Sequence, residues 1–325
     1  MSEQALLLRL RAGPVSGDVL AREAGQTRAA IWKRIAALRE AGIAIDALPG
    51  RGYALHEAPD LLDADAIVAA LPAQARQALA GLEVAWKIDS TNSALLREPA
   101  PARGCRVLLA ERQSAGRGRR GRSWVSPLGA QLAVSLARRF QGGLARLPGL
   151  SLVAGVATAE ALHALGFAQV RLKWPNDIVV VDAGGLRKLG GILVEGGGEA
   201  GGAAQAVIGI GLNVRMPAAT MAGIGQPWTD LAALGQAPAR NAIAAALLAR
   251  LLPALDAFDQ DGLAPWLARF EAVHALDAAD VLIHDAAGTH PARVLGIAAD
   301  GALRVRDPAG AVRNVYAGDV SVVRA

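Results

Sequence analysis

Hydrophobic positions recur with three different patterns along this chain, and each pattern predicts a different kind of unit. In the first sixty residues the period is helical: Leu6, Leu7 and Leu10 form one apolar side of a short first helix. Ser16 is placed to cap a second helix carrying Val19, Leu20 and Ala24, Gly25-Gln26 makes a turn, and Thr27 is placed to cap a third. In the third helix Ile31, Ile35 and Leu38 fall at i, i+4 and i+7, which is a core stripe. The opposite side carries Ala29, Lys33 and Ala36. After Gly42 two short apolar runs, 43–48 and 53–55, flank Pro49-Gly50-Arg51-Gly52, which predicts a hairpin with Arg51 at its tip. Two helices at this spacing followed by a hairpin make a winged helix-turn-helix.

From Asp63 the pattern becomes one of alternating strands and helices. Strand-like runs cover 84–88, 106–110, 131–136, 170–174, 178–181, 188–195 and 206–214, and helical runs cover 93–98, 148–165 and 240–271. The expected fold class is therefore α/β (α+β), with a mixed central sheet and helices on one side of it. The tail from Val281 to Val323 alternates in short strands split by Ala287-Gly288, Asp300-Gly301 and Pro308-Ala309-Gly310, which predicts a small SH3-like β-barrel. These changes of pattern divide the chain into 1–62, 63–272 and 273–325.

Composition narrows the class without naming a chemistry. With 53% hydrophobic residues the chain has ample material for a core, and a net charge of +5 is too mild for generalised nucleic-acid binding, so a basic surface must be local. The single cysteine, Cys105, excludes an intrachain disulfide and fits a reducing compartment. The N-terminal apolar run is too short for a signal peptide, and no segment reaches about 18 apolar residues free of charge. A cytoplasmic protein with no membrane partner is expected. Only four of the 34 basic residues are lysines, Lys33, Lys87, Lys173 and Lys188, so a lysine marks a place where arginine was not used.

Between Gly116 and Arg122 the chain reads Gly-Arg-Gly-Arg-Arg-Gly-Arg. The glycines bring backbone N–H groups close to a ligand and the guanidinium groups offer forked donors, so the segment suits an anion. It also fits Gly-x-Gly-x-x-Gly, but the following Ser-Trp-Val-Ser-Pro does not open a helix, and no acidic residue occurs between Arg112 and Glu160. A dinucleotide-binding turn needs both.

Three further segments accompany this loop: Lys173-Trp174-Pro175-Asn176-Asp177, then 188–195 reading Lys-Leu-Gly-Gly-Ile-Leu-Val-Glu, then 208–214 reading Ile-Gly-Ile-Gly-Leu-Asn-Val. Ser90-Thr91-Asn92 precedes them. Together these motifs resemble biotin protein ligases over nearly the whole chain. With the N-terminal module, the chain is similar to the two-function type that is both ligase and biotin operon repressor. The resemblance implies a central domain related to class II synthetases. It also implies that biotin and ATP form biotinyl-5′-adenylate with Mg²⁺, and that biotin then passes to a lysine of the biotin carboxyl carrier protein of acetyl-CoA carboxylase.

The same resemblance distributes roles. Lys188, Arg119 and Asp177 become the catalytic candidates, Lys188 on the carboxylate and α-phosphate and Asp177 on the incoming amine. Biotin falls to Ser90, Thr91, Asn92, Gln113, Gly116, Arg117, Arg119, Lys188 and Gly191. The adenylate falls to Arg117, Arg119, Arg122, Trp124, Asn176, Lys188, Asn213 and Trp228. Ser90 and Thr91 read equally well as helix caps, and Asn176-Asp177 as turn residues. No cluster of His, Cys, Asp or Glu has zinc-ligand spacing, so no metal ligands are expected in the chain.

For the N-terminal module, Thr27, Arg28, Ala29, Lys33, Arg34 and Arg51 are the candidates for contact with operator DNA, with small residues around a cation and arginines at the flanks, Arg39 among them. The resemblance further implies homodimerisation when the adenylate binds. Two other readings stand beside it. One is a DNA-binding biotin sensor without ligase activity. The other is a lipoate ligase, which is expected to carry Arg-Arg-x-Ser-Gly-Gly-Gly in place of the arginine loop, and nothing in this sequence resembles that motif.

Overall fold

In a computed structural model of the chain, described over residues 1–141, 143, 147, 149–198, 204–217, 224–285, 288–316 and 321–324, the first unit is built from α1 (Glu3–Arg11), α2 (Gly17–Ala24), α3 (Arg28–Glu40), β1 (Ile45–Leu48) and β2 (Gly52–Leu55). The predicted caps are in place. Ser16 Oγ accepts from Val19 N at 3.2 Å and Thr27 Oγ1 accepts from Ala30 N at 3.2 Å. β1 and β2 pair antiparallel with Leu48 opposite Gly52, which leaves Arg51 exposed at the tip of the wing. Gly52 has φ +87°, and a Cβ there would lie 2.2 Å from the Val15 carbonyl oxygen, so no other residue fits. Leu6, Leu7, Leu10, Leu20, Ile31, Ile35 and Leu38 form the core of this unit.

Leu128 also belongs to that core, although it lies in the segment that follows the arginine loop. Its N–H donates to the Ala41 carbonyl at 3.0 Å. A second tie is buried: the Arg240 guanidinium is held by Glu111 (2.5 Å), by the Asp60 carbonyl (Nε, 2.8 Å) and by the Gln131 carbonyl (3.0 Å). Removing one partner of such a pair costs about 3–5 kcal/mol. The segment leaving the winged helix is therefore fastened to the sheet.

After α4 (Ala64–Ala69), α5 (Ala73–Gln77), β3 (Leu79–Ala85), α6 (Thr91–Leu96), β4 (Cys105–Ala110), β5 (Gln131–Phe140), α7 (Leu150–Ala164), β6 (Val170–Lys173), β7 (Asp177–Asp182), β8 (Gly185–Gly198) and β9 (Ala204–Asn213), the strands form one seven-stranded sheet. Its order is β3-β4-β5-β9-β8-β7-β6, with β3 parallel to β4 and the remaining pairs antiparallel. Then follow α8 (Leu231–Leu234), α9 (Arg240–Asp261), α10 (Ala264–Glu271) and β10 (Asp280–Asp285), β11 (Gly288–Ile297), β12 (Leu303–Arg306), β13 (Val312–Val315) and β14 (Ser321–Arg324). The last five strands form an antiparallel sheet, as expected of the SH3-like unit.

Alternation decides which face does what. Leu132, Val134 and Leu136 of β5, Ile208, Ile210 and Leu212 of β9, Ile192 of β8 and Ile178 and Val180 of β7 share one face and bury it with α7 and α9. The opposite face carries small or polar residues: Ala133, Ser135, Gly209, Gly211, Gly191. α6 covers part of that second face, with Leu95 against Leu108, Ala137 and Val207, so the helices are not all on one side as the sequence suggested.

Other boundaries also differ from expectation. The helix expected over 240–271 is broken at Gly262 (φ +73°) into α9 and α10. Asp182-Ala183-Gly184-Gly185 reads in the sequence as a long hairpin before Lys188, but Asp182 and Gly185 pair directly, so it is tight. The core runs unbroken from the sheet into Val281, Ile283, Leu303 and Val305, across the expected boundary at 272/273. α9 is long and apolar enough to cross a membrane by length and composition, but its Ile243, Leu247, Leu248, Leu251 and Leu255 are packed in that core. The expected helix start at Pro148 and turn residue Ala287 lie outside the described residues.

Candidate active site

The small-residue face of the sheet is the floor of a cleft of about 580 Å³. Its glycines make room for side chains. A Cβ on Gly209 would lie 2.1 Å from Asn92 Oδ1, and one on Gly211 would lie 2.6 Å from Trp124 Cε2. Asn92 and Trp124 therefore rest directly on the backbone of β9. Gly190 points the other way, toward Ile178 and Leu212 in the core, so it is a packing glycine.

Cations gather above β7 and β8. Lys188 Nζ lies 2.6 Å from Asp177 Oδ1 and 5.9 Å from the centroid of the Trp124 ring, both lysine and aspartate being part-buried. Lys173 stands on the same face, paired in register with Asp177. Burial lowers the Lys173 pKa, with Asp177 opposing the shift and Lys188 and Arg122 adding to it. From the loop opposite, Arg119 donates to Asn176 Oδ1 at 3.0 Å, and its pKa is lowered by desolvation and then by Arg120. Asn176 is itself fixed, its Nδ2 donating to the Ile192 carbonyl at 2.7 Å. The arginine loop is a small hairpin closed by Gly118 N to Arg122 O (2.7 Å) and Trp124 N to Gly116 O (2.8 Å).

Uncharged polar groups occupy the side above β5 and β9, and they form one chain that ends on the Glu195 carboxylate. Trp124 Nε1 donates to Gln131 Oε1 at 2.6 Å, Gln131 Nε2 donates to Ser126 Oγ, and Ser126 Oγ accepts from Gln113 N at 2.9 Å. Gln113 Oε1 accepts from Thr91 N (2.8 Å) and Thr91 Oγ1 (3.1 Å). Ser135 Oγ lies 2.7 Å from Thr91 Oγ1 and 2.6 Å from Asn92 Oδ1. Asn92 Nδ2 then donates to the Leu193 carbonyl and to Glu195 Oε2. A buried polar network satisfied at this density holds its members in one geometry.

The cleft thus brings together Ser90, Thr91, Asn92, Gln113, Arg117, Arg119, Arg122, Trp124, Asn176, Asp177, Lys188 and Gly191. Three expected residues are not brought into it. Gly116 packs under the Trp124 backbone, Asn213 turns its amide to the Thr229 carbonyl at 3.0 Å, and Trp228 packs against Ala130 and Met216 while Gln226 and Pro227 line the cleft. Ser90 caps α6, its Oγ accepting from Ser93 N at 3.4 Å. Sequence reasoning missed Gln131, Ser135 and Glu195. A usable signal existed for Gln131 and Ser135, because polar or small residues at 131, 133 and 135 alternate with apolar ones along β5.

On the winged helix, Thr27, Arg28, Ala29, Lys33 and Arg51 are exposed. Arg28 is drawn to Asp18 at 3.3 Å and Arg34 to Gln26. Arg39 is spent within the fold, donating to the Ile45 carbonyl at 2.9 and 2.6 Å. Trp32, which the sequence reading passed over, projects from α3 with 59% of its surface exposed.

Comparison with known proteins finds relatives for both the central domain and the N-terminal unit. A family model described as biotin/lipoate A/B protein ligase matches residues 85–213, and one described as an HTH domain matches residues 2–54. The chain is 44% identical over 256 residues to the bifunctional ligase/repressor BirA of Salmonella typhimurium, covering 79% of this chain and 77% of that protein. The chain belongs to the biotin/lipoate A/B protein ligase family. BirA of Escherichia coli gives the same identity and coverage. Among solved structures, the biotin protein ligase of Aquifex aeolicus in complex with biotin and ATP has a TM-score of 0.62 at 25% identity, covering 76% of this chain and all of that one. The span of the ligase-family match includes the cleft residues from Ser90 to Gly211, and Trp228 lies beyond it.

Proposed function

We propose that this chain activates biotin with ATP, forming biotinyl-5′-adenylate and pyrophosphate, and transfers the biotinyl group to a lysine of an acceptor protein. Its winged helix binds DNA and makes it a biotin-responsive repressor of transcription. The observation that carries the first half is the polarity of the cleft: Lys188, Lys173, Arg119 and Arg122 around Asp177 on one side, and on the other an uncharged polar network of Thr91, Asn92, Gln113 and Ser135 edged by the mutually paired Arg117 and Glu195. Biotin has a neutral head and an anionic tail, so the two sides orient it with its carboxylate toward Lys188.

Attack of that carboxylate on the α-phosphate gathers negative charge on both groups. Lys188, with Lys173, Arg119 and Arg122 around it, stabilises the developing charge and then the adenylate. Trp124 and the arginine loop keep water from the mixed anhydride. In the second step a neutral lysine amine attacks the biotinyl carbonyl and AMP leaves. Asp177, once Lys188 turns to phosphate, orients that amine and takes its proton. Thr91 and Gln113 exchange their mutual hydrogen bonds for the ureido group, and Ser90, Asn92 and Gly191 shape the headgroup slot.

The acceptor is the biotin carboxyl carrier protein of acetyl-CoA carboxylase, the location is cytoplasmic, and the adenylate-bound chain pairs through its central domain to place two winged helices on two DNA half-sites. Among the described residues no three His, Cys, Asp or Glu side chains cluster as a metal site, and Asp177 is committed to Lys188. Mg²⁺ would arrive with ATP, bound to its phosphates, and would supply charge neutralisation there. The activation half is tested by biotin-dependent exchange of labelled pyrophosphate into ATP. Exchange supports it, and biotin binding without exchange would place the chain with sensors that do not ligate.

A further inference from the structure

Arg117 and Glu195 make a contact that the chemistry above does not use. Arg117 leads the arginine loop, whereas Glu195 lies on β8, which forms part of the cleft floor. Arg117 Nη2 donates to Glu195 Oε2 at 2.8 Å, and the same oxygen accepts from Asn92 Nδ2 at 2.9 Å. Through Asn92 the carboxylate joins the buried network of Ser135, Thr91 and Gln113. The resemblance would give this arginine to the ligand, but its guanidinium is already committed to a carboxylate.

Geometry explains why this carboxylate is well anchored. Glu195 shares its face of β8 with Leu193 and Gly191, opposite Val207 in β9. Asn92 is seated over Gly209, where any Cβ would collide with its Oδ1, so its amide cannot move toward the sheet and stays aimed at Glu195. One end of the contact is thus rigid and the other end is a loop. An ion pair of this form is a fastener across the headgroup side of the cleft, away from Lys188.

We propose that Glu195 is a positioning residue that clasps Arg117, so that the arginine loop stays closed over bound biotin and over the adenylate. This rests on the reading of the cleft as a biotin site. The clasp acts on release of ligand, and the anion contacts fall to Arg119, Arg122, Lys188 and Lys173. The pair is part-exposed, with side-chain accessibilities of 41% and 24%, so its strength is limited and salt weakens it. A pair worth about 1 kcal/mol corresponds to roughly a fivefold change in release rate.

The test is a double-mutant cycle on dissociation rates measured with the full chain, first with biotin alone and then with adenylate formed in place. Glu195→Gln keeps an oxygen acceptor for Asn92 and removes the charge; Arg117→Gln removes the other partner. Each single variant should release ligand about fivefold faster, the double variant no faster than either, and high salt should bring the wild-type rate toward that of Glu195→Gln. Unchanged release in Glu195→Gln, or effects that multiply in the double variant, would overturn the clasp. If the wild type binds biotin but makes no adenylate, the proposed activation fails while the biotin arm still decides the clasp.

Discussion

Lys188 and Asp177 meet at 2.6 Å because a β-bulge at Leu189 turns the lysine onto the cleft face. Gly190 opposes Ile178 and Lys188 opposes Val179, leaving Leu189 as the extra residue. Without the bulge Lys188 would oppose Val180 and point into the core, since a shift of one residue exchanges the faces of a strand. The lysine proposed to act on the α-phosphate is therefore aimed by a backbone irregularity.

Lys188→Ala should keep the fold and lower biotin-dependent pyrophosphate exchange about 10²- to 10³-fold, the usual cost of removing one charge-stabilising donor. Exchange within threefold of wild type, with an unchanged circular dichroism spectrum, would remove Lys188 from the mechanism.

Gly209→Ala should weaken biotin binding, because the new methyl group would lie 2.1 Å from Asn92 Oδ1 and must push it off the sheet. Such overpacking costs about 1–3 kcal/mol. Calorimetric titration with biotin reads the loss of affinity, and an affinity equal to wild type would show that Asn92 does not shape the slot.

Lys173 gives the pH dependence of the first step. Burial holds its pKa below the ordinary lysine value of 10.5, with Asp177 opposing the shift, so its positive charge is lost earlier than usual on the alkaline side. Exchange activity should fall along that limb, and Lys173→Arg, which stays protonated, should move the limb to higher pH. An unmoved alkaline limb would contradict a role for the Lys173 charge.

His274 predicts the acid limit of stability. It is buried against Phe270, neither ring nitrogen has a hydrogen-bond partner, and burial lowers its pKa from 6.5 to about 4, with Asp277 opposing the shift. The unfolded chain thus takes up a proton near pH 6.5 that the folded chain refuses until about pH 4. Stability should be complete above pH 6.5 and fall as the pH drops toward 4, by at most on the order of 3 kcal/mol. Thermal unfolding between these limits should show a shallower slope for His274→Leu, and an equal slope would sink the assignment.

Much of this architecture was legible in the sequence where local chemistry acts alone. Ser16 and Thr27 cap the helices they were expected to cap, and Ile31, Ile35 and Leu38 are buried as their spacing required. Gly209 and Gly211 alternate with Ile208, Ile210 and Leu212 in the sequence, but that Asn92 and Trp124 fill the face the glycines leave bare is seen only in the structure. What stayed hidden depends on register and on distant partners. The Leu189 bulge, the Glu195 contact to Arg117, and the withdrawal of Asn213 and Trp228 to other neighbours all arise from pairing between strands far apart in the chain.

Trp32 belongs to the same class, since an aromatic on α3 could equally have been core. Exposed beside Ala29 and Lys33, it has the shape and chemistry to contact thymine methyl groups in a major groove. Trp32→Ala should lower the preference for DNA selected by the wild-type chain and leave non-selected duplex binding unchanged. Gel-shift titrations against both duplexes check this, and an equal loss on both would make Trp32 a non-specific contact.

The most direct test of the account is the mass of an acceptor. The purified chain is incubated with biotin, MgATP and a biotin carboxyl carrier domain, and the carrier is then weighed. A single biotinyl addition that requires ATP is the predicted result. An unmodified carrier, in the presence of bound biotin and intact chain, would contradict the ligase reading.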